Sequence, residues 1–184
     1  MSLHKDLELK EAVLNLPDKE KDKLLVRLIS KDKMLLKQLH YELLEDETDL
    51  EDRITDLKDR LENLFEQQVG KIKNIPMYSN YKNLSSVLRQ ASGMVNEHEK
   101  ITKDKFSVVE CRLIILDEAF TRYPALFGPS ALSPAFKLHK YMAARLKNAV
   151  KSFEKLHEDL QFDLNALMKS VLSFAADHRL DHEL

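Results

Sequence analysis

The sequence predicts an all-α protein, a helical bundle of about six or seven helices with two long antiparallel helices. Three observations carry that expectation. Only 3 glycines and 5 prolines interrupt 184 residues. Charged residues make up 33% of the chain, and many are Lys and Glu, which are good helix formers. Leucines recur at steps of three and four, the period of one helix face, whereas no β-branched run bounded by turn residues marks a strand.

Taken in order, residues 5–14 read as a short first helix. Pro17, followed by Asp18 and Glu20, opens a second with Leu24, Leu25, Leu28 and Ile29. Asp32 caps a third that places Leu35, Leu36, Leu39, Leu43 and Leu44 inward. Residues 1–45 are thus expected to be short helical hairpins, superficially similar to a HEAT-type pair, packed on a bundle formed by residues 48–184 within a single all-α domain. No repeat at that period follows, so a solenoid is not expected.

Thr48 with Glu51 forms a capping box that starts a long helix with a seam of Leu50, Ile54, Leu57, Leu61 and Leu64. Residues 74–83, which include Pro76, form the first break. A fifth helix carries Leu84, Val87, Leu88, Ala91, Met94, Val95 and Ile101, and Thr102 is placed to cap a sixth. Residues 123–134 hold three of the prolines and read as an exposed loop that takes part in contacts. Ser133 as cap and Pro134 then launch a very long segment with a seam of His139, Met142, Leu146, Ala149, Phe153, Leu156 and Leu160, continuing to Phe174. The steps of four at 156, 160 and 164 shift the repeat, so this segment is either one relaxed helix or two.

The sixth helix poses the chemical question, because its apolar run "VVECRLIILDEAF" also holds charges and the single cysteine. On a helical wheel most of those charges fall in one polar sector and Cys111 lies toward it. Glu118 and Arg122, four apart, are spaced to pair. Arg112 falls inside the apolar arc. An unpaired buried guanidinium is costly, so Arg112 either snorkels, meets a carboxylate from another helix, or clamps an anionic ligand in a cleft.

Charge is segregated along the chain. Residues 42–66 hold eleven acidic and three basic side chains, and residues 67–150 hold thirteen basic and six acidic ones. Lys137, Lys140, Lys147, Lys151 and Lys155 fall within about 80° of the last long helix and extend roughly 27 Å along it. Asp49, Asp52, Asp56, Asp59 and Glu66 form the complementary stripe on the fourth helix. Arg112 and the five lysines are the candidate anion- or partner-binding residues.

Several constellations suggest chemistry more weakly. Glu42 and Glu45 make a Glu-x-x-Glu similar to the paired carboxylates with which all-α nucleoside triphosphate pyrophosphatases hold magnesium. Those enzymes carry a second Glu-x-x-Asp, and here only Asp56-x-x-Asp59 and Asp59-x-x-Glu62 follow. Glu154 with His157, and His178 with His182, have metal-ligand spacing but lack the further ligands such sites need. "NEHEK", residues 96–100, reads as a solvated helix end. No glycine-rich phosphate loop or serine elbow is present.

A non-enzymatic interaction or scaffold module with segregated acidic and basic faces is therefore expected. The alternatives are the magnesium-dependent pyrophosphatase and nucleic-acid binding through the lysine ladder. No catalytic residue, metal ligand or cofactor is assigned. A protein partner or a second copy fits the charge pattern better than nucleic acid, since the sequence pI is 6.4. One cysteine, no leader pattern and no apolar span of ~20 residues predict a cytoplasmic protein with no membrane partner.

Overall fold

The computed structural model describes residues 5–181, among which there are eight α-helices and no strand. Contacts divide the chain into two units, Met1–Glu45 and Asp46–Leu184.

The first unit holds α1 (Leu7–Leu14), α2 (Asp18–Ile29) and α3 (Lys33–Leu44). Asp6 and Asp32 cap α1 and α3 by accepting backbone N–H groups of the first turn, as such carboxylates do where helix donors lack partners. None of the three helices contains a buried residue. Leu35 and Leu39 are half-buried, but Leu36, Leu43 and Leu44 are exposed, correcting their inward assignment. Helices of 8 and 12 residues offer too little surface to cover so broad an apolar arc.

The second unit begins with α4 (Glu47–Glu66). Its capping box is Asp46 with Asp49, not Thr48 with Glu51: the Asp46 carboxylate accepts from the Thr48 and Asp49 N–H groups while Asp49 accepts from the Asp46 N–H. A carboxylate placed two residues earlier takes the free donors before the threonine is reached. Leu57, Leu61, Leu64 and Phe65 are buried on this helix. After a turn in which Gly70 adopts φ 80°, a conformation glycine tolerates without steric cost, the Asn80 side chain fastens the connection. Its amide donates to the Ile75 carbonyl and accepts from the Lys73 N–H.

Helix α5 (Tyr78–Thr102) buries its predicted seam apart from Met94, which is half-buried. Lys103, at φ 56°, ends it in a left-handed turn. Asp104, rather than Thr102, caps α6 (Lys105–Arg122), accepting from the Ser107 N–H at 2.8 Å. The Thr102 hydroxyl is engaged elsewhere, donating to the His98 carbonyl and accepting from the Asp104 N–H. Helix α6 packs against α4, α5, α7 (Ser133–Phe153) and α8 (Glu158–Asp177), which makes it the central element.

The segment expected as an exposed loop is partly core. Pro124–Phe127 forms a 3₁₀ turn, and Tyr123, Leu126 and Phe127 are buried. The Phe127 and Phe174 rings both pack on Phe120, at 5.0 and 4.4 Å. Apolar content, not proline content, decided the fate of this segment. Helix α7 has Pro134 in its first turn, but Ser133 makes no side-chain cap. The long C-terminal pattern is two helices. The chain turns where the repeat shifts, with Leu156 buried in the turn and His157 capping α8. Among the described residues, no helix is long and apolar enough to cross a membrane.

Candidate anion-binding cleft

In α7, residues 141, 145, 148 and 152 recur at alternating steps of four and three, so they share one side of the helix, and residue 155 follows in the turn beyond it. That side borders a cleft of about 220 Å³ among α5, α6 and α7. Its floor is apolar: Leu88 and Val95 come from α5, Ile115 and Leu116 from α6, and Met142 from α7. Four cations line it, namely Arg112 on α6, Arg145 and Lys151 on α7, and Lys155 in the turn that follows α7. Ser92, Asn96, Asn148 and Ser152 add uncharged polar groups, and no Asp or Glu lines it among the described residues. A second opening of about 270 Å³ adjoins it, sharing Arg112, Ser152 and Lys155 and adding Glu99 and Lys105.

The cations differ in their engagement. Arg112 donates from Nη2 to Glu99 Oε2 at 2.6 Å, so a carboxylate from α5 meets this guanidinium in the apolar arc. Only one of its five N–H donors is committed in this pair. Arg145 lies over the Tyr141 ring, 5.1 Å from the centroid, and the Tyr141 hydroxyl is 2.9 Å from Ser92 Oγ. A cation–π contact of this kind fixes a guanidinium without neutralising it. Among the described residues, no carboxylate lies within ion-pair distance of Arg145, Lys151 or Lys155.

Of the residues singled out in the sequence, the structure thus brings Arg112, Lys151 and Lys155 together. Lys137, Lys140 and Lys147 lie exposed on the adjoining side of α7, outside the cleft. Arg145, Ser92, Asn96 and Asn148 were missed. The signal was present in the polar stripe flanking the α7 seam. "NEHEK" is not simply solvated: Asn96 lines the cleft, Glu99 holds Arg112, and His98 is buried.

His98 Nε2 lies 2.9 Å from Ser107 Oγ, with the Thr102 hydroxyl at 3.4 Å. Burial pushes the His98 pKa below its ordinary value; Asp104 opposes the shift and Arg53 adds to it. Neither His98 nor Ser107 lines either opening, and their contact ties α5 to α6. Cys111 is fully buried, correcting its placement toward the polar sector, because α6 is covered on several sides. Its thiol is pushed up to about 12, by burial first and then by the Glu110 charge, so it is no nucleophile at neutral pH. Glu110 itself accepts from Lys58 Nζ at 2.7 Å.

The weaker constellations do not assemble. Glu45 Oε1 sits 2.7 Å from His40 Nδ1, and Glu42 is exposed. His157 caps α8, with its Nδ1 accepting from the Asp159 N–H. His178 stacks on Phe174 at 3.9 Å, and His182 lies outside the described residues. Among the described residues, no three His, Cys, Asp or Glu side chains gather to hold an ion. Glu118 and Glu66 both pair with Arg122.

No family model, curated protein or solved structure matches this chain.

Proposed function

We propose that this chain is a non-enzymatic interaction module that docks an acidic protein surface along the basic side of α7. The observation that carries the reading is the ladder of Lys137, Lys140, Lys147 and Lys151, exposed and within about 80° of one another on α7, with exposed Lys155 in the turn that follows. The chain bears a matching surface of its own. Asp49, Asp52, Asp56, Asp59 and Glu66 are exposed on α4. Since each stripe faces away from its own apolar seam, the α4 of a second copy is an acidic partner of suitable chemistry. Such a head-to-tail contact joins unlike surfaces. Exposed ion pairs contribute only ~0.2–1 kcal/mol each, so the association is weak and salt-sensitive.

Tyr141, the aromatic beside the ladder, is occupied by Arg145 and Ser92 and is not offered to stack on a base, which favours protein over nucleic acid. The test is light-scattering mass at ~0.05 M and ~0.5 M salt, with binding of an oligo-glutamate peptide measured in parallel. The expected results are assembly and peptide binding at low salt, and loss of both at high salt or in Lys137→Glu/Lys140→Glu. A monomer at both salts that ignores the peptide would overturn the reading. So would tighter binding of a short single-stranded oligonucleotide.

A further inference from the structure

The geometry points to a second, separate ligand: a small amphipathic anion, one phosphate or carboxylate head on a short apolar chain, seated in the cleft among α5, α6 and α7. This goes beyond the docking of an acidic protein surface on the outer lysines. The cleft joins two features that a merely solvated groove does not need. One wall supplies Arg145, Lys151 and Lys155 without carboxylate partners among the described residues, and the floor is apolar side chain from three helices. Guanidinium and ammonium groups gathered around a space free of acids favour an anion, and charge-assisted hydrogen bonds make that preference strong.

The floor decides what the head is attached to. Leu88, Val95, Leu116 and Met142 are buried in the core, so only the faces they turn to the cleft remain for a ligand. Each methylene buried there raises affinity roughly fourfold. A volume of about 220 Å³ falls below the ~300–1,000 Å³ of drug-sized sites and suits a head group with a short chain. Arg145 is held by the Tyr141 ring, and Tyr141 by Ser92, so one head-group donor is positioned before the ligand arrives. Glu99 keeps Arg112 at the boundary between the two openings.

Calorimetric titration of the full chain with octyl phosphate, octanoate, inorganic phosphate and octanol tests the assignment. Octyl phosphate or octanoate is expected to bind about a hundredfold more tightly than inorganic phosphate, corresponding to roughly three to four buried methylenes, and more tightly than octanol. The stronger of the two amphiphiles identifies the head group. Arg145→Met, at an exposed position, is expected to weaken binding at least tenfold. Asn148→Trp, also exposed, fills the cleft while keeping every charge and is expected to abolish binding. In the unmodified protein, the Met142 methyl resonance is expected to shift with octyl phosphate and stay in place with inorganic phosphate, a readout that needs no variant. Failure of both amphiphiles to bind, parity with octanol or inorganic phosphate, or full affinity in Asn148→Trp would each overturn the inference. Lys137→Glu/Lys140→Glu is expected to spare octyl phosphate binding. In the unmodified protein, octyl phosphate binding without oligo-glutamate binding therefore removes the docking proposal alone, and the reverse removes this one alone.

Discussion

Replacing Leu61 by Ala asks whether the second unit opens as one body. Leu61 is fully buried in α4, which packs on α5 and α6, so the truncation removes three carbons' worth of contacts from a closed core. Comparable Leu→Ala changes cost ~3–5 kcal/mol, and at 1.4 kcal/mol per tenfold this raises the open population by about two to three and a half orders of magnitude. Cys111 reports that population from a different helix. Its thiol has no access to solvent and is pushed up to about 12, so a thiol reagent reaches it only through opening. When closing outpaces labelling, the labelling rate follows the opening equilibrium. The expected outcome is a roughly hundredfold or greater acceleration in Leu61→Ala. Leu36→Ala, at a residue 49% exposed in α3, is expected to change the rate by no more than about twofold, the effect of ~0.5 kcal/mol. An unchanged rate in Leu61→Ala would show that α6 opens without α4. Equal acceleration by Leu36→Ala would refute the division into a cored unit and an uncored one.

Two further outcomes follow from the polar contacts. Asp46→Ala is expected to lower stability by ~1 kcal/mol in chemical denaturation and Thr48→Ala by less than ~0.5 kcal/mol, and the opposite order would return the α4 cap to the threonine. For His98, burial places the folded pKa below the ordinary 6.5, so the unfolded chain takes up a proton first as the pH falls. Its contribution is complete above that value and lost with acidification below it. His98→Gln, which keeps a polar group for Ser107, is expected to flatten the fall in urea midpoint between pH ~8 and ~5, and parallel slopes would refute the assignment.

The helices were legible because leucine spacing survives any tertiary arrangement, and the seams of α4 and α5 are buried much as the wheel places them. Caps were less legible. Thr48 and Thr102 were the expected caps, yet Asp46 and Asp104 do the capping, each carboxylate accepting from N–H groups of the first turn. The turn at residues 154–157 contains neither Gly nor Pro, so only the shifted repeat hinted at it. For the cleft, the lysine side of α7 and the exceptional position of Arg112 were visible on single wheels. The convergence of Ser92 and Asn96 with Tyr141 and Asn148 was not, because it depends on α5 lying beside α7. Cys111 was misplaced for a related reason: a wheel ranks positions within a helix but does not say how many neighbours cover it.

Those same polar residues explain why a cleft exists at all. Along the α5–α7 contact, Ser92 meets Tyr141 through a 2.9 Å hydrogen bond where two apolar side chains would close the gap. Asn96, Asn148 and Ser152 continue the opening, and α6 supplies its floor. Interiors pack to crystal-like density when shape alone governs them, and leucines at these positions would extend the neighbouring seams. The chain instead keeps space there and surrounds it with four cations, of which Arg145, Lys151 and Lys155 lack carboxylate partners among the described residues, an arrangement that stability does not reward. Departures of this kind from an otherwise consistent pattern are expected at functional or strained positions, and the α7 stripe is such a departure whereas the more conspicuous carboxylates and histidines are not.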